Sequence, residues 1–304
     1  MRLLIAGWHG QIAHALVELA ASDPDITALS LGRPALDLCT PSSIRSTFAA
    51  TRPDVMINTA AYTAVDEAES DREAAFDLNM EGAAAFANLA RRTATPIIHL
   101  SSGYVFDGTK TGSYSEADAP SPNTVYGRSK LEGEIAVQRA NDRHLILRTA
   151  WIFSPFGRNF VSNVLDLARR GGAIDIVDDQ FGSPTHAPDL ARVILKLAAK
   201  CARQPETVPW GIYHAAGAGS ASWCDVARKA LDISRRLGGP FAEVTPIRGA
   251  DYVTAAPRLA NSRLDCSKLE RAFDIRLPGW EESLADCVRR LLRPGDEAPA
   301  GAEA

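Results

Sequence analysis

The chain has 304 residues, 46% hydrophobic and 23% charged, with 33 basic and 37 acidic side chains and a formal net charge of -4. That length is enough for about two domains and a large core without disulfides or structural metal, and the composition excludes a wholly disordered, collagen-like or coiled-coil chain. Both charge signs are dispersed and no Lys/Arg run occurs, so nothing marks a nucleic-acid or membrane-surface protein.

Residues 2–6 form an apolar run too short for a helix and closed by Gly7, which predicts a strand. After a glycine turn, Ile12, Leu16, Leu19 and Ala20 recur at helical spacing. Residues 26–31 predict a second strand, 42–50 a helix begun at Pro41, and 54–58 a third strand. An alanine-rich stretch over 72–92 predicts one long helix. A fourth strand over 96–100 runs out into Ser101-Ser102, and a loop rich in Gly, Ser and Pro covers 103–124. A helix from near Tyr126 to near Asn141 and a fifth strand over 144–148 complete the first half. In the second half, helices are predicted at 160–170, 188–200, 223–237 and 280–292, with short strands at 174–177 and 211–214.

Near-continuous apolar strands alternating with helices predict a parallel sheet covered on both faces. The βαβαβ order from the first residue is that of a dinucleotide-binding half. The predicted fold is α/β, a Rossmann-type doubly wound parallel sheet with a smaller C-terminal α/β substrate domain. Residues 1–150 form the NAD(P)-binding domain in this reading. Residues 151–292 are mostly substrate domain, partly interleaved with the sheet, and 293–304 read as a disordered tail.

Gly7-Trp8-His9-Gly10-Gln11-Ile12-Ala13 is a G-x-x-G-x-x-A turn between the first strand and first helix. Small residues there let the backbone approach a pyrophosphate lying on the helix N-terminus; a plain strand-to-helix turn is the competing reading. The second strand ends in Leu31-Gly32-Arg33 with no acid, which favours NADPH over NADH, although NADH is not excluded. A solvated loop arginine is the alternative. Asp37 and Leu38 are placed against the adenine end. Asn58-Thr59-Ala60-Ala61 closes the third strand with small residues, which suits either a backbone lying on the cofactor or tight helix–sheet packing.

The sharpest signal is Tyr126-Gly127-Arg128-Ser129-Lys130, a Y-x-x-x-K. On a helix, i and i+4 share a face. A cation beside a phenol lowers its pKa from ~10 and makes it a usable acid–base group, and the lysine can also bond a nicotinamide ribose. Ser101-Ser102 supplies a hydroxyl that orients a substrate carbonyl. Hydroxyl, phenol, ammonium and dinucleotide turn together read as a carbonyl-reducing site built on Ser102, Tyr126 and Lys130.

With these motifs the chain resembles the extended short-chain dehydrogenase/reductases and, within them, the dTDP-4-dehydrorhamnose reductase family. The resemblance spans residues 2–290. It is carried by residues 7–13 with Gln11, by the run Asn58-Thr59-Ala60-Ala61-Tyr62-Thr63-Ala64-Val65-Asp66-Glu67-Ala68-Glu69, and by 101–106, 126–134, 148–151, 178–185 and Asn261-Ser262. It implies hydride delivery from NADPH to C4 of a dTDP-hexulose, with Tyr126 giving the proton, Lys130 holding the ribose and Ser102 bonding the same oxygen. It adds Gln11, Ile12 and Tyr62 to the cofactor site. It also places Thr63, Val65, Trp151, Asn159 and Gln180 at the sugar site, with Trp151 and Phe160 equally readable as core.

Two departures stand out. The family favours an acid where this chain has Gly103, and a proline where it has Leu259. Gly103 leaves the exact sugar open, so a related nucleotide-sugar 4-ketoreductase stays in play beside the rhamnose reading. A non-catalytic cofactor-binding regulatory subunit is a third reading, and the intact Ser102, Tyr126 and Lys130 argue against it. Cys39, Cys201, Cys224, Cys266 and Cys287 have no C-x-x-C spacing and read as reduced buried thiols. The histidines are scattered, so no metal is expected. No apolar run approaches the ~20 residues of a membrane span and none fits a secretory signal, which predicts a cytoplasmic enzyme without membrane or nucleic-acid partners, as monomer or homodimer.

Overall fold

A computed structural model describes residues 1–293; the predicted tail, except Arg293, lies outside the described residues. The chain runs β1 (Arg2–Ala6), α1 (Gln11–Ala21), β2 (Thr27–Leu31), α2 (Pro41–Thr51) and β3 (Val55–Asn58). Next come α3 (Arg72–Phe76), α4 (Ala83–Arg92), β4 (Ile97–Ser102), α5 (Val125–Ala140) and β5 (His144–Thr149). The later elements are β6 (Ile152–Phe153), α6 (Phe160–Arg170), β7 (Ile174–Val177), β8 (Phe181–Gly182), β9 (Thr185–His186) and α7 (Ala187–Arg203). They continue through β10 (Gly211–His214), β11 (Ala221–Ser222), α8 (Trp223–Arg236), β12 (Val244–Ile247), β13 (Asn261–Ser262), α9 (Ser267–Phe273) and α10 (Trp280–Leu291).

The main sheet has the order β10-β5-β4-β3-β1-β2 and every pair in it is parallel. Alternation along each strand divides the core in two. Leu3, Ile5, Val55, Ile57 and Leu145 face Leu16 of α1 and Leu190, Ile194 and Leu197 of α7. Leu4, Met56, Ile97 and Ile146 face Ile44 of α2, Phe86 of α4 and Val137 of α5. The order of strands reverses between β1 and β3, which opens a crevice at their carboxyl ends. The C-terminal half completes this sheet through β10 and α7. Its α6, α8 and α10 enclose separate apolar clusters around Val161, Val226 and Leu284, and around Leu165, Ile176 and Leu231.

Two expectations are corrected. The helix predicted over 72–92 contains a π-helical turn at Asp77–Gly82 between α3 and α4. There Asn79 is fully buried and bonds outside its own helix, to Tyr62 and Ser129. Cys39 is exposed, because it sits in the turn before α2 rather than on a packed element; Cys201, Cys224 and Cys287 are buried, and all five thiols are free. Among the described residues no helix is long and apolar enough to cross a membrane.

Candidate active site

The crevice between β1 and β3 is built for close backbone approach. Gly7 has φ +107°, and a Cβ there would stand 2.7 Å from Thr59 Oγ1 and 3.2 Å from the Ala60 nitrogen. The Gly7 N–H donates to the Leu31 carbonyl at 2.8 Å. Helix α1 starts after Gly10 with no side-chain cap, so its first N–H groups are left for a ligand. Gln11 accepts a hydrogen bond from Ser154 Oγ at 2.7 Å, and Ile12 packs on the core. Across the crevice, Asn58 Oδ1 accepts from the Ala60 N–H at 3.1 Å, while Thr59 Oγ1 donates to the Ala6 carbonyl. Asn79 holds Tyr62 by both its N–H and its carbonyl. Ala60, Ala61 and Tyr62 therefore form a pinned, half-buried edge.

At the end of β2, Arg33 is exposed. Asp37 and Leu38 lie in the turn that leads into α2. The Asp37 carboxylate accepts from the Cys39 N–H and the Thr40 hydroxyl of its own turn, and Leu38 is 4% exposed, packed in the core.

Helix α5 carries Tyr126 and Lys130, the candidate catalytic pair. Thr124 Oγ1 caps it by accepting from the Gly127 N–H at 2.9 Å, and Glu69 Oε1 accepts from the Val125 N–H at 2.8 Å. Gly127 has no room for a side chain, since a Cβ would meet the Tyr104 carbonyl oxygen at 2.2 Å. This contact seats Tyr126 (8% exposed) and Lys130 (2% exposed) over the end of β4. Burial raises the Tyr126 phenol to about 12, against the opposing hydrogen bond with the Ser102 hydroxyl; Tyr104 adds to the rise. The ring of Tyr104 meets that of Tyr126 edge-on at 5.5 Å. Burial lowers Lys130 to about 8, and Glu134 opposes this.

The expected lowering of the phenol by Lys130 is thus corrected. The Lys130 ammonium donates to the Leu100 carbonyl at 2.8 Å, and desolvation of Tyr126 dominates. A protonated phenol suits a proton donor.

The sequence reading missed the buried support beneath this pair. Glu134, fully buried, follows Lys130 by one further helical step and accepts from Arg148 Nε at 2.9 Å, from Arg148 Nη2 at 2.6 Å and from Ser101 Oγ. An arginine inside an apolar strand was the available signal for a buried partner. Asn79 carried no signal, since an asparagine in a helical run is usually exposed.

Beside Tyr104 opens a pocket of about 420 Å³ lined by Trp151, Phe160, Gln180, Trp223 and Arg258. Trp151, at φ +48°, stacks on Trp223 with centroids 3.5 Å apart and planes 7° from parallel. Arg258 is paired with Asp66, which also accepts from the Ala256 N–H, so the loop after β3 is tied to the pocket wall. Thr63 is exposed, and Val65 is half-buried against the Tyr126 cluster. Asn159 does not reach the pocket as a free amide. It caps α6, accepting from the N–H groups of Val161 and Ser162 and donating to the carbonyls of Ser154 and Gly157. Gly103 is buried, and a Cβ would meet Leu264, Ala150 and the Ser262 carbonyl at 3.7–3.8 Å.

A family described as RmlD substrate binding domain matches residues 1–293. The chain is 45% identical over 298 residues to a dTDP-4-dehydrorhamnose reductase of Sinorhizobium fredii, covering 98% of this chain and 100% of that one. It is 38% identical over 294 residues to a probable dTDP-4,6-dihydroxy-2-methyloxan-3-one 4-ketoreductase of Streptomyces antibioticus, covering 96% of each. It is also similar to the crystal structure of the dTDP-4-dehydrorhamnose reductase of Bacillus anthracis in complex with NADP, with TM-score 0.86, 31% identity and coverage of 94% of this chain and 98% of that one.

Proposed function

This chain belongs to the RmlD substrate binding domain family, and on that premise we propose that it reduces the C4 ketone of dTDP-6-deoxy-L-lyxo-4-hexulose to dTDP-L-rhamnose with NADPH. The observation that carries the reading is the buried Tyr126 phenol hydrogen-bonded to the Ser102 hydroxyl at the end of β4, with Lys130 buried one helical turn on and Tyr104, a wall of the Trp151–Trp223 pocket, edge-on to the Tyr126 ring. The crevice fits a dinucleotide, since Gly7 leaves space that a Cβ would fill and α1 presents uncapped N–H groups. Residues 1–150 serve the cofactor in this reading and 151–292 mostly the sugar nucleotide, in the cytoplasm.

The bound nicotinamide supplies the hydride. Tyr126, protonated throughout the neutral range, gives its proton to the oxygen at C4 as negative charge develops there. The Ser102 hydroxyl, already bonded to Tyr126, orients that oxygen. Lys130 has one N–H on Leu100 and two left, directed by the proposal to the ribose. The stacked rings of Trp151 and Trp223 give the pocket beside Tyr104 a flat apolar wall.

The test is NADPH consumption with dTDP-4-keto-6-deoxyhexulose, with the product identified by NMR. Formation of dTDP-L-rhamnose is expected; cofactor binding without turnover would favour the regulatory reading instead. A second reading, reduction of another 6-deoxyhexulose nucleotide, is supported by Gly103 and by the likeness to the Streptomyces ketoreductase. The substitution Gly103→Asp separates the two, because the Cβ itself has room. With the rhamnose precursor, kcat/KM stays level or rises. A loss beyond ~100-fold in a folded protein shifts the assignment to another sugar.

A further inference from the structure

Trp8 lies between the two glycines of the first turn and is 49% exposed. Its indole nevertheless has a fixed seat. A Cβ on Gly32 would stand 2.2 Å from Trp8 Cδ1 and 2.6 Å from Nε1, so the ring rests directly on the residue that follows β2. Its other neighbour is His9, with centroids 3.8 Å apart. Turn and strand end are stitched together by the Gly7 N–H on the Leu31 carbonyl and by Ser30 Oγ donating to the Gly7 carbonyl at 2.7 Å.

Arg33 follows Gly32 and is exposed. Indole and imidazole therefore sit together beside Gly32, and the chain continues directly into the exposed Arg33. In a doubly wound sheet the residues at this strand end meet the adenosine ribose. Indole offers a flat apolar face and one N–H donor; guanidinium offers a permanent cation. The nearest carboxylate along the chain, Asp37, is turned into its own turn. The chemistry is that of a receiver for a purine ribose bearing an anionic group, not for a bare diol.

We propose that Trp8 is a selectivity residue of the cofactor site, its indole forming with Arg33 the surface that receives the 2′-phosphoadenosine end and so prefers NADPH to NADH. The proposal rests on the reading that this chain binds NADPH. It also explains why glycine follows β2: any side chain at Gly32 would displace the ring.

The test measures dissociation constants of NADPH, NADH and 2′,5′-ADP by calorimetry for the parent, Trp8→Ala, Trp8→Phe and Gly32→Ala. Thermal melts confirm folding, which the exposed position of Trp8 favours. Trp8→Ala is expected to weaken NADPH and 2′,5′-ADP about tenfold, the scale of one lost hydrogen-bonding contact, and NADH less than about threefold. Gly32→Ala should act in the same direction by pushing the indole aside, and Trp8→Phe should fall between. In the parent, 2′,5′-ADP should quench tryptophan fluorescence, and Trp8→Phe should abolish that quench. Equal weakening of both cofactors, or no weakening, overturns the selectivity role. A parent that binds neither cofactor overturns the NADPH reading itself, whereas a parent that binds NADPH with unchanged Trp8→Ala overturns only this inference.

Discussion

Burial moves the two titratable groups of α5 in opposite directions, because it disfavours the charged form of each. Tyr126 is pushed up to about 12 and stays a phenol; Lys130 is pushed down to about 8 and sits near its titration point. The first consequence is that Tyr126→Phe should fold and bind cofactor yet lose about 10²–10⁴-fold in kcat, the contribution of one positioned acid. Steady-state rates within a few-fold of the parent would remove Tyr126 from its role. The second concerns pH. Lys130 carries its charge below its pKa and loses it above, so kcat/KM should fall as pH rises through about 8, far below a free lysine. In Lys130→Arg that alkaline limb should vanish, since guanidinium does not titrate there. A parent profile that stays level to pH 9.5 would contradict the assignment of the limb to Lys130.

At the scale of elements, the legible parts were those whose burial is periodic. Residues 3–6 and 55–58 are buried on both faces because helices cover both. The amphipathic α6 and α8 repeat apolar residues at helical spacing and read as cleanly. The two-residue strands β6, β8, β9, β11 and β13 could not be read, because two residues carry no period. The π-helical turn escaped because it answers to a partner far along the chain: Asn79 leaves its helix to hold Tyr62 and Ser129. The proposed catalytic trio was visible because its spacing is local to one helix and one strand end, whereas Glu134 and Arg148 are joined only by the fold. Two glycines give a paired prediction about the start of α5. Gly127→Ala puts a Cβ 2.2 Å from a backbone oxygen, which only a shift of the helix start can relieve. It should cost about 1–3 kcal/mol in guanidinium unfolding and lower kcat by moving Tyr126. Gly103→Ala meets only ordinary contacts and should leave both within error. Equal effects from the two would show that the close approach at Tyr104 does not seat the catalytic tyrosine.

Over the whole molecule, the two halves are joined through a buried histidine. His214 lies on β10, the C-terminal strand that completes the sheet, and its backbone N–H donates to Glu116 Oε1 at 2.7 Å while its ring Nδ1 bonds the Tyr114 carbonyl at 3.0 Å. The loop after β4 is thereby held to the strand contributed by the second half. Burial first, and Arg148 second, lower His214 to about 3, and the fully buried His99 is lowered in the same way. In the unfolded chain a histidine titrates near 6.5. Between these values the unfolded state binds a proton that the folded state refuses, so stability must fall as pH falls. One such group removes about 2 kcal/mol between pH 7 and pH 5, the slope approaching 1.36 kcal/mol per unit only below pH 6.5. The depressed carboxylates do not share this window: Asp118, held at about 2 chiefly by Lys110, loses its contribution only below the ordinary carboxylate range. Guanidinium unfolding at pH 7, 6 and 5 should therefore show a loss of about 2 kcal/mol, above the window in which Asp118 loses its contribution. His214→Gln, which cannot titrate, should start less stable at pH 7, having lost the bonded ring, but should decline less steeply toward pH 5. A parent whose stability is level from pH 7 to 5, or a variant with the parent's slope, would show that the joint between sheet and C-terminal strand does not depend on a neutral His214.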